Sequence, residues 1–190
     1  MVILIMTLII FVGSLYFLKQ FYSATTSFRD EIDRNTDEQM RQILRDGSIV
    51  AIPLNKATIP VGKGESFWVG IQNIKGAEKD FGITVEFSKA FTPLEAPIAT
   101  ANGQYINPHW ILYNSGPHTI KNNDYKAIPV HIVVDHNMDE GVSLEKGTYS
   151  FNVCVWDATE YGPTAPGVCD GTSTQVWYTN KVYKIFVEVP

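Results

Sequence analysis

Hydrophobic and polar positions fall into three regimes along the chain. Val2–Leu18 is an unbroken apolar run, VILIMTLIIFVGSLYFL, whose only polar side chains are Thr7, Ser14 and Tyr16. Apolar on every side, it predicts a transmembrane helix over 1–19. About 18–20 residues rising about 1.5 Å each cover roughly 27–30 Å of hydrocarbon. Val2, Ile3, Leu4, Ile5, Leu8, Ile9, Ile10, Phe11, Val12, Leu15, Phe17 and Leu18 would face lipid, with Tyr16, Lys19 and Tyr22 at the rim. A buried core helix would not be apolar all round in so small a domain. A cleaved secretory signal fits less well: the run is long for an h-region, no basic residue precedes it, and Ser23-Ala24-Thr25 is a poor cleavage site.

Residues 20–47 are polar and read as a helical juxtamembrane stalk. Thr36 and Gln39 have capping-box spacing, Asp37 and Glu38 suit a first turn, and Gly47 suits a C′ stop. Met40, Ile43 and Leu44 make a narrow apolar stripe, so a short amphipathic helix is expected at about 37–46.

From Ser48 to Pro190 the period becomes two. Phe67/Val69/Ile71, Phe81/Ile83/Val85/Phe87, Ile128/Val130/Ile132/Val134, Tyr149/Phe151/Val153/Val155 and Tyr183/Ile185/Val187/Val189 each alternate with polar or small residues. Shorter candidate strands lie at Ile49–Leu54, Trp110–Tyr113 and Gln175–Tyr178. Turn chemistry separates them, including Gly62-Lys63-Gly64, Asn102-Gly103 and Asn122-Asn123-Asp124. Half-buried strands with no helical period between them predict a mainly β antiparallel sandwich of seven to nine strands.

Two stretches carry a resemblance. Ile59-Pro60-Val61-Gly62 leading to Phe67-Trp68-Val69-Gly70-Ile71-Gln72-Asn73, and Gly147-Thr148-Tyr149-Ser150-Phe151-Asn152-Val153, match short patterns. They resemble the prokaryotic immunoglobulin-like domains of the FixG C-terminal and CARDB (cell-adhesion-related) type across most of 57–158. The resemblance implies an immunoglobulin-like fold in a prokaryotic, archaeal-type envelope protein. A hydrophobic helix leading into such a sandwich is also similar to archaeal pilins and archaellum subunits, although no basic leader precedes the run.

The net charge of −5, with basic residues scattered among acids, argues against nucleic acid as a partner. Cys154 and Cys169 are the only cysteines, and one of them falls in the Gly/Pro-rich loop after the Tyr149 strand. A disulfide between them is expected, implying an oxidising, external location; two free thiols in a reducing compartment are the alternative. Lys19, Arg29 and Arg34 after the span point the other way, but large domains translocate largely regardless of charge.

Candidate chemistry is sparse. His109, His118, His131 and His136 lack ligand spacing for zinc. Asp135, Asn137 and Asp139 begin a calcium-loop-like run, but Gly141 comes one position late and Glu145 one early. No nucleophile elbow, P-loop or dinucleotide fingerprint occurs, so no enzyme activity and no cofactor are expected. Trp68, Trp156, Trp177 and Tyr161 are candidate partner contacts, set against the plainer reading that they cover a sheet or pack under a loop. The loop Glu160–Thr174 is the candidate recognition loop.

The expected function is a non-enzymatic envelope protein, structural or adhesive, in which a single-pass anchor displays the sandwich outside the membrane. Its partners would be the bilayer and other envelope proteins. One alternative is a pilin-like subunit whose helix packs with copies of itself in a filament core. A second is a carbohydrate- or ligand-binding module.

Overall fold

The computed structural model describes residues 35–171 and 176–190. The anchor residues Val2–Leu18 and most of the stalk lie outside the described residues. Among those described, no helix is long and apolar enough to cross a membrane.

The described part of the first helix, α1, covers 35–45. It ends as its sequence requires: Gly47 takes φ 96°, Ser48 N–H donates to Ile43 O and Gly47 N–H to Leu44 O. That pair of bonds is a Schellman stop, open to glycine because it has no Cβ.

Among the described residues eleven strands follow: β1 Val50–Ala51, β2 Lys56–Thr58, β3 Gly64–Gln72, β4 Lys79–Phe91, β5 Ile111–Tyr113, β6 His118–Ile120, β7 Tyr125–Val133, β8 Asn137–Asp139, β9 Val142–Ser143, β10 Gly147–Asp157 and β11 Tyr183–Val189. Two helices interrupt them, α2 Gly103–Trp110 and α3 Ala158–Tyr161. All five alternating sets became strands β3, β4, β7, β10 and β11. Their apolar phases meet in one core that includes Phe67, Phe81, Ile132, Phe151 and Val187.

One sheet has the order β1-β3-β7-β5, the other β2-β11-β10-β4-β6, and β8-β9 is a separate ribbon. In immunoglobulin lettering the first is A-B-E-D and the second adds G-F-C, with strand A divided between the sheets. Its second half, β2, runs parallel to β11, a parallel pair in an otherwise antiparallel arrangement. The start of β10 also carries the tyrosine corner of such folds. Tyr149 is fully buried, and its hydroxyl donates to Glu145 O four residues upstream at 2.8 Å. Burial pushes the phenol up to about 12. The domain is therefore an immunoglobulin-like β-sandwich.

Three local expectations need correction. Asn102-Gly103 opens a helix instead of a turn: Asn102 Oδ1 accepts from Gln104 N–H as N-cap, and Asn102 Nδ2 donates to Asp139 Oδ1. Trp110 ends that helix rather than starting a strand, seating its indole 5.0 Å from Tyr149 and donating Nε1–H to Asn137 O. Val176–Tyr178 forms turns, because Trp177 is drawn onto the outer side of the second sheet.

Residues Met40–Pro190 form one compact unit. Within it Met40, Leu44 and Ala51 are buried together on the outer side of the first sheet, beside Trp68, Tyr125 and Ala127. Gly70 makes the seat: a Cβ there would overlap Met40 Sδ. The Arg41 guanidinium lies 4.9 Å over the Tyr125 ring. The apolar stripe read from the sequence thus has a docking surface, and Trp68 is half-buried beside it.

Candidate binding face

The outer face of the five-stranded sheet is divided into a covered half and an open half. Strand register sets out its rows: Gly82 pairs with Trp156, Thr84 with Cys154, Glu86 with Asn152, and Phe91 with Thr148. On the other side of β10, Asn152 pairs with Lys184, Ser150 with Phe186 and Thr148 with Glu188.

The covered half lies under the chain's own β10–β11 loop. Cys154 and Cys169 form a disulfide, with Cα atoms 5.8 Å apart. With Trp156 and Trp177 they make a second buried cluster, distinct from the sandwich core. Gly82 gives the indole of Trp156 its place, since a Cβ would overlap the ring. Trp156 Nε1–H donates to Gly162 O, and Asp157 caps α3 by accepting from Thr159 and Glu160 N–H. The expected bond is formed, and it fixes the loop at its middle while α3 fixes its start.

Trp156 and Trp177 are only 1% and 2% exposed, so they are not available as partner contacts. Trp156 takes the outward phase of β10 and Trp177 packs beside it from a turn, so both lie under the pinned loop. Tyr161 stays 42% exposed on α3, and Val168, beside Cys169, is exposed at the loop surface. Glu160 and burial raise the Tyr161 phenol above its ordinary range, the charge of Glu160 being the larger cause.

The open half centres on Phe91, half-buried, with Thr148, Glu188 and Lys56 in reach. They border a shallow cavity of about 580 Å³, walled on one side by the turn Thr92–Glu95. Lys56 Nζ and Glu188 Oε2 pair at 3.1 Å across its floor. Glu95 holds φ 62° in this turn, which leaves Leu94 91% exposed at its tip. A ring with hydroxyls and a paired acid and base can take a polar ligand on one flat side. No sequence pattern marks it, because Lys56, Phe91, Thr148 and Glu188 come from four separated strands.

The calcium-like run is put to another use. Asp135 Oδ2 accepts from the Tyr105 hydroxyl and Asp139 Oδ1 from Asn102, both on or capping α2. Asn137 sits in β8, its backbone oxygen taken by Trp110. Among the described residues no group of three His, Cys, Asp or Glu side chains is placed to hold a metal ion.

Beyond its short pairing with β6, the edge of β4 is closed without a partner strand. Ile83 N–H donates to Ser115 O, Val85 N–H to the Tyr113 hydroxyl, and Phe87 N–H to Asn107 Oδ1. Backbone donors that would template another chain are consumed by α2 and the loop after β5.

No protein-family model matches the chain, and no curated protein matches it. Solved structures give distant likenesses. One is PapD-like domain 7 of human CEP192, at TM-score 0.38 and 7% identity over 74% of this chain and 83% of that one. Another is the alkylpurine DNA glycosylase AlkC of Pseudomonas fluorescens, at 0.40 and 10% over 75% of this chain and 31% of that one. A third is the sialic acid binding region of a Streptococcus sanguinis adhesin, at 0.38 and 16% over 76% of this chain and 30% of that one. The chain thus spans about a third of the glycosylase and of the adhesin. Likenesses this remote decide nothing about function; the fold assignment rests on strand order and the tyrosine corner.

Proposed function

We propose that this protein is a non-enzymatic envelope module: the apolar run Val2–Leu18 anchors it, and the sandwich is displayed outside to contact other surface molecules. The Cys154–Cys169 bond is the observation that carries the reading. It pins the segment after α3 over its own sheet, a design suited to an oxidising compartment and to a recognition loop held at a fixed point. Contact would involve the exposed side of that loop, Tyr161 and Val168 included, and the open half of the same sheet around Phe91.

The test is surface proteolysis of cells making the full chain. Chymotrypsin added outside should cut at Tyr161 or in the following loop once an impermeant reductant is present, leaving the anchor-side fragment in the membrane. Protection on intact cells, with cutting only after lysis, would place the domain inside and end the proposal.

A filament subunit is the second reading, favoured by the seating of Met40 over Gly70. Residues 40–45 of α1 are held on the sandwich through Met40 and Leu44, a fixed point that suits a subunit packed against others. Filaments containing this chain in material sheared from cells would favour it over the lipid anchor.

A further inference from the structure

One row of the five-stranded sheet brings an acid, a carboxamide and an amine side by side. Asn152 on β10 is the direct cross-strand partner of Glu86 on β4 and of Lys184 on β11, and the three share the outer face. Side chains so paired start from Cβ atoms about 4.5–5.5 Å apart. Lys184 Nζ donates to Asn152 Oδ1 at 2.7 Å.

The carboxamide is held still. Asn152 is buried, and its Nδ2 donates to Cys169 O at 2.7 Å. The N–H of the same Cys169 donates to Glu86 Oε2 at 3.1 Å. The disulfide therefore fixes a backbone unit that grips Asn152 with its carbonyl and Glu86 with its amide. Nothing comparable restrains an ordinary surface Lys–Asn contact.

We infer that Lys184 and Asn152 are the site of an intramolecular isopeptide cross-link, with Glu86 carrying the proton. The uncharged Lys184 Nζ attacks Asn152 Cγ, the atom next to the oxygen it already touches. The Nζ–Cγ bond forms and the Cγ–Nδ2 bond breaks. The proton given up by Nζ is relayed by solvent to the Glu86 carboxylate, the other neighbour of Asn152 in the row, and on to Nδ2, which departs as ammonia. Atoms and charge balance, and no oxidant, reductant or co-reactant is needed. Desolvation, aided by the nearby Lys89 ammonium, lowers the Lys184 amine from its ordinary range and so enlarges its uncharged fraction. A fixed geometry of this kind is what turns a slow amide exchange into an intramolecular reaction.

The cross-link would tie the last strand to β10 independently of where the domain is displayed. The test is the intact mass of the full chain, purified in detergent, reduced and denatured, with a time course at mildly alkaline pH. The expected result is a mass lower than the sequence by one ammonia, and a digest containing one branched peptide that joins the Asn152 and Lys184 segments. Lys184→Arg, which keeps charge and length, should restore the sequence mass, and Glu86→Gln should slow the loss at least tenfold. A wild-type mass that never loses ammonia overturns the inference. So does a loss that persists in Lys184→Arg, which would belong to ring closure at Asn102-Gly103.

Discussion

Individual residues at special places hold this sandwich together. Tyr149 is one. Replacing it by Phe removes a buried hydroxyl bond to Glu145 and should cost about 1 kcal/mol in urea unfolding at pH 7. The same change should alter the alkaline limb. The phenol is raised from 10.0 to about 12 in the fold, so the uncharged ring contributes stability fully below pH 10 and loses it as pH rises through 12. Tyr149→Phe should therefore flatten the fall in stability between pH 10 and 12. Some slope should remain, because burial also raises Tyr178. Asn73 is a second such residue. Fully buried, it donates to Ala77 O and Ile120 O and accepts from Lys75 N–H, binding the β3–β4 turn to β6. Asn73→Ala strands two carbonyls and an amide, and should cost about 3 kcal/mol by chemical denaturation. Both residues stood in the quoted sequence patterns, yet neither role is visible there, since a two-residue period reports the face a side chain takes and not the bonds its polar atoms make.

At the scale of elements, the strands were legible because a two-residue period states both the element and its buried face. The helix α2 was not. Gln104–Trp110 has Pro108 inside it and no strong stripe, and its cap bond to Asp139 comes from far along the chain. For Trp156 the plainer of the two readings holds, that it packs under a loop rather than meeting a partner. Gly82, directly across the ladder, was the available signal, since a glycine inside a strand marks a close approach. Two expectations follow from these packings. Gly82→Ala should drive its methyl into the Trp156 indole and lower stability by about 1–3 kcal/mol. Met40→Ala should release α1 from the first sheet without unfolding the sandwich. Hydrogen exchange would then accelerate in 41–45 while the amides of β10 keep their protection.

For the whole molecule, the disulfide joins stability to location. The bond closes a loop of 15 residues in sequence separation, worth about 3 kcal/mol by the chain-entropy relation. Reduction should lower the urea midpoint accordingly while leaving the sandwich folded, because its core lies on the other side of β10. The two candidate binding surfaces, the loop exterior and the cavity at Phe91, then lie on one side of one sheet. The proposed anchor and compartment rest on one apolar run and two cysteines. The sequence was silent on the cavity, because Lys56, Phe91, Thr148 and Glu188 converge only after folding. External display is the central claim, and lysine labelling tests it most directly. Cells making the full chain are treated with a membrane-impermeant amine reagent, and Lys121, Lys126 and Lys146, all exposed on the sandwich, are followed by peptide mass. Labelling of all three on intact cells, to the level reached after lysis, is the expected result. Labelling that appears only after the cells are broken would contradict it.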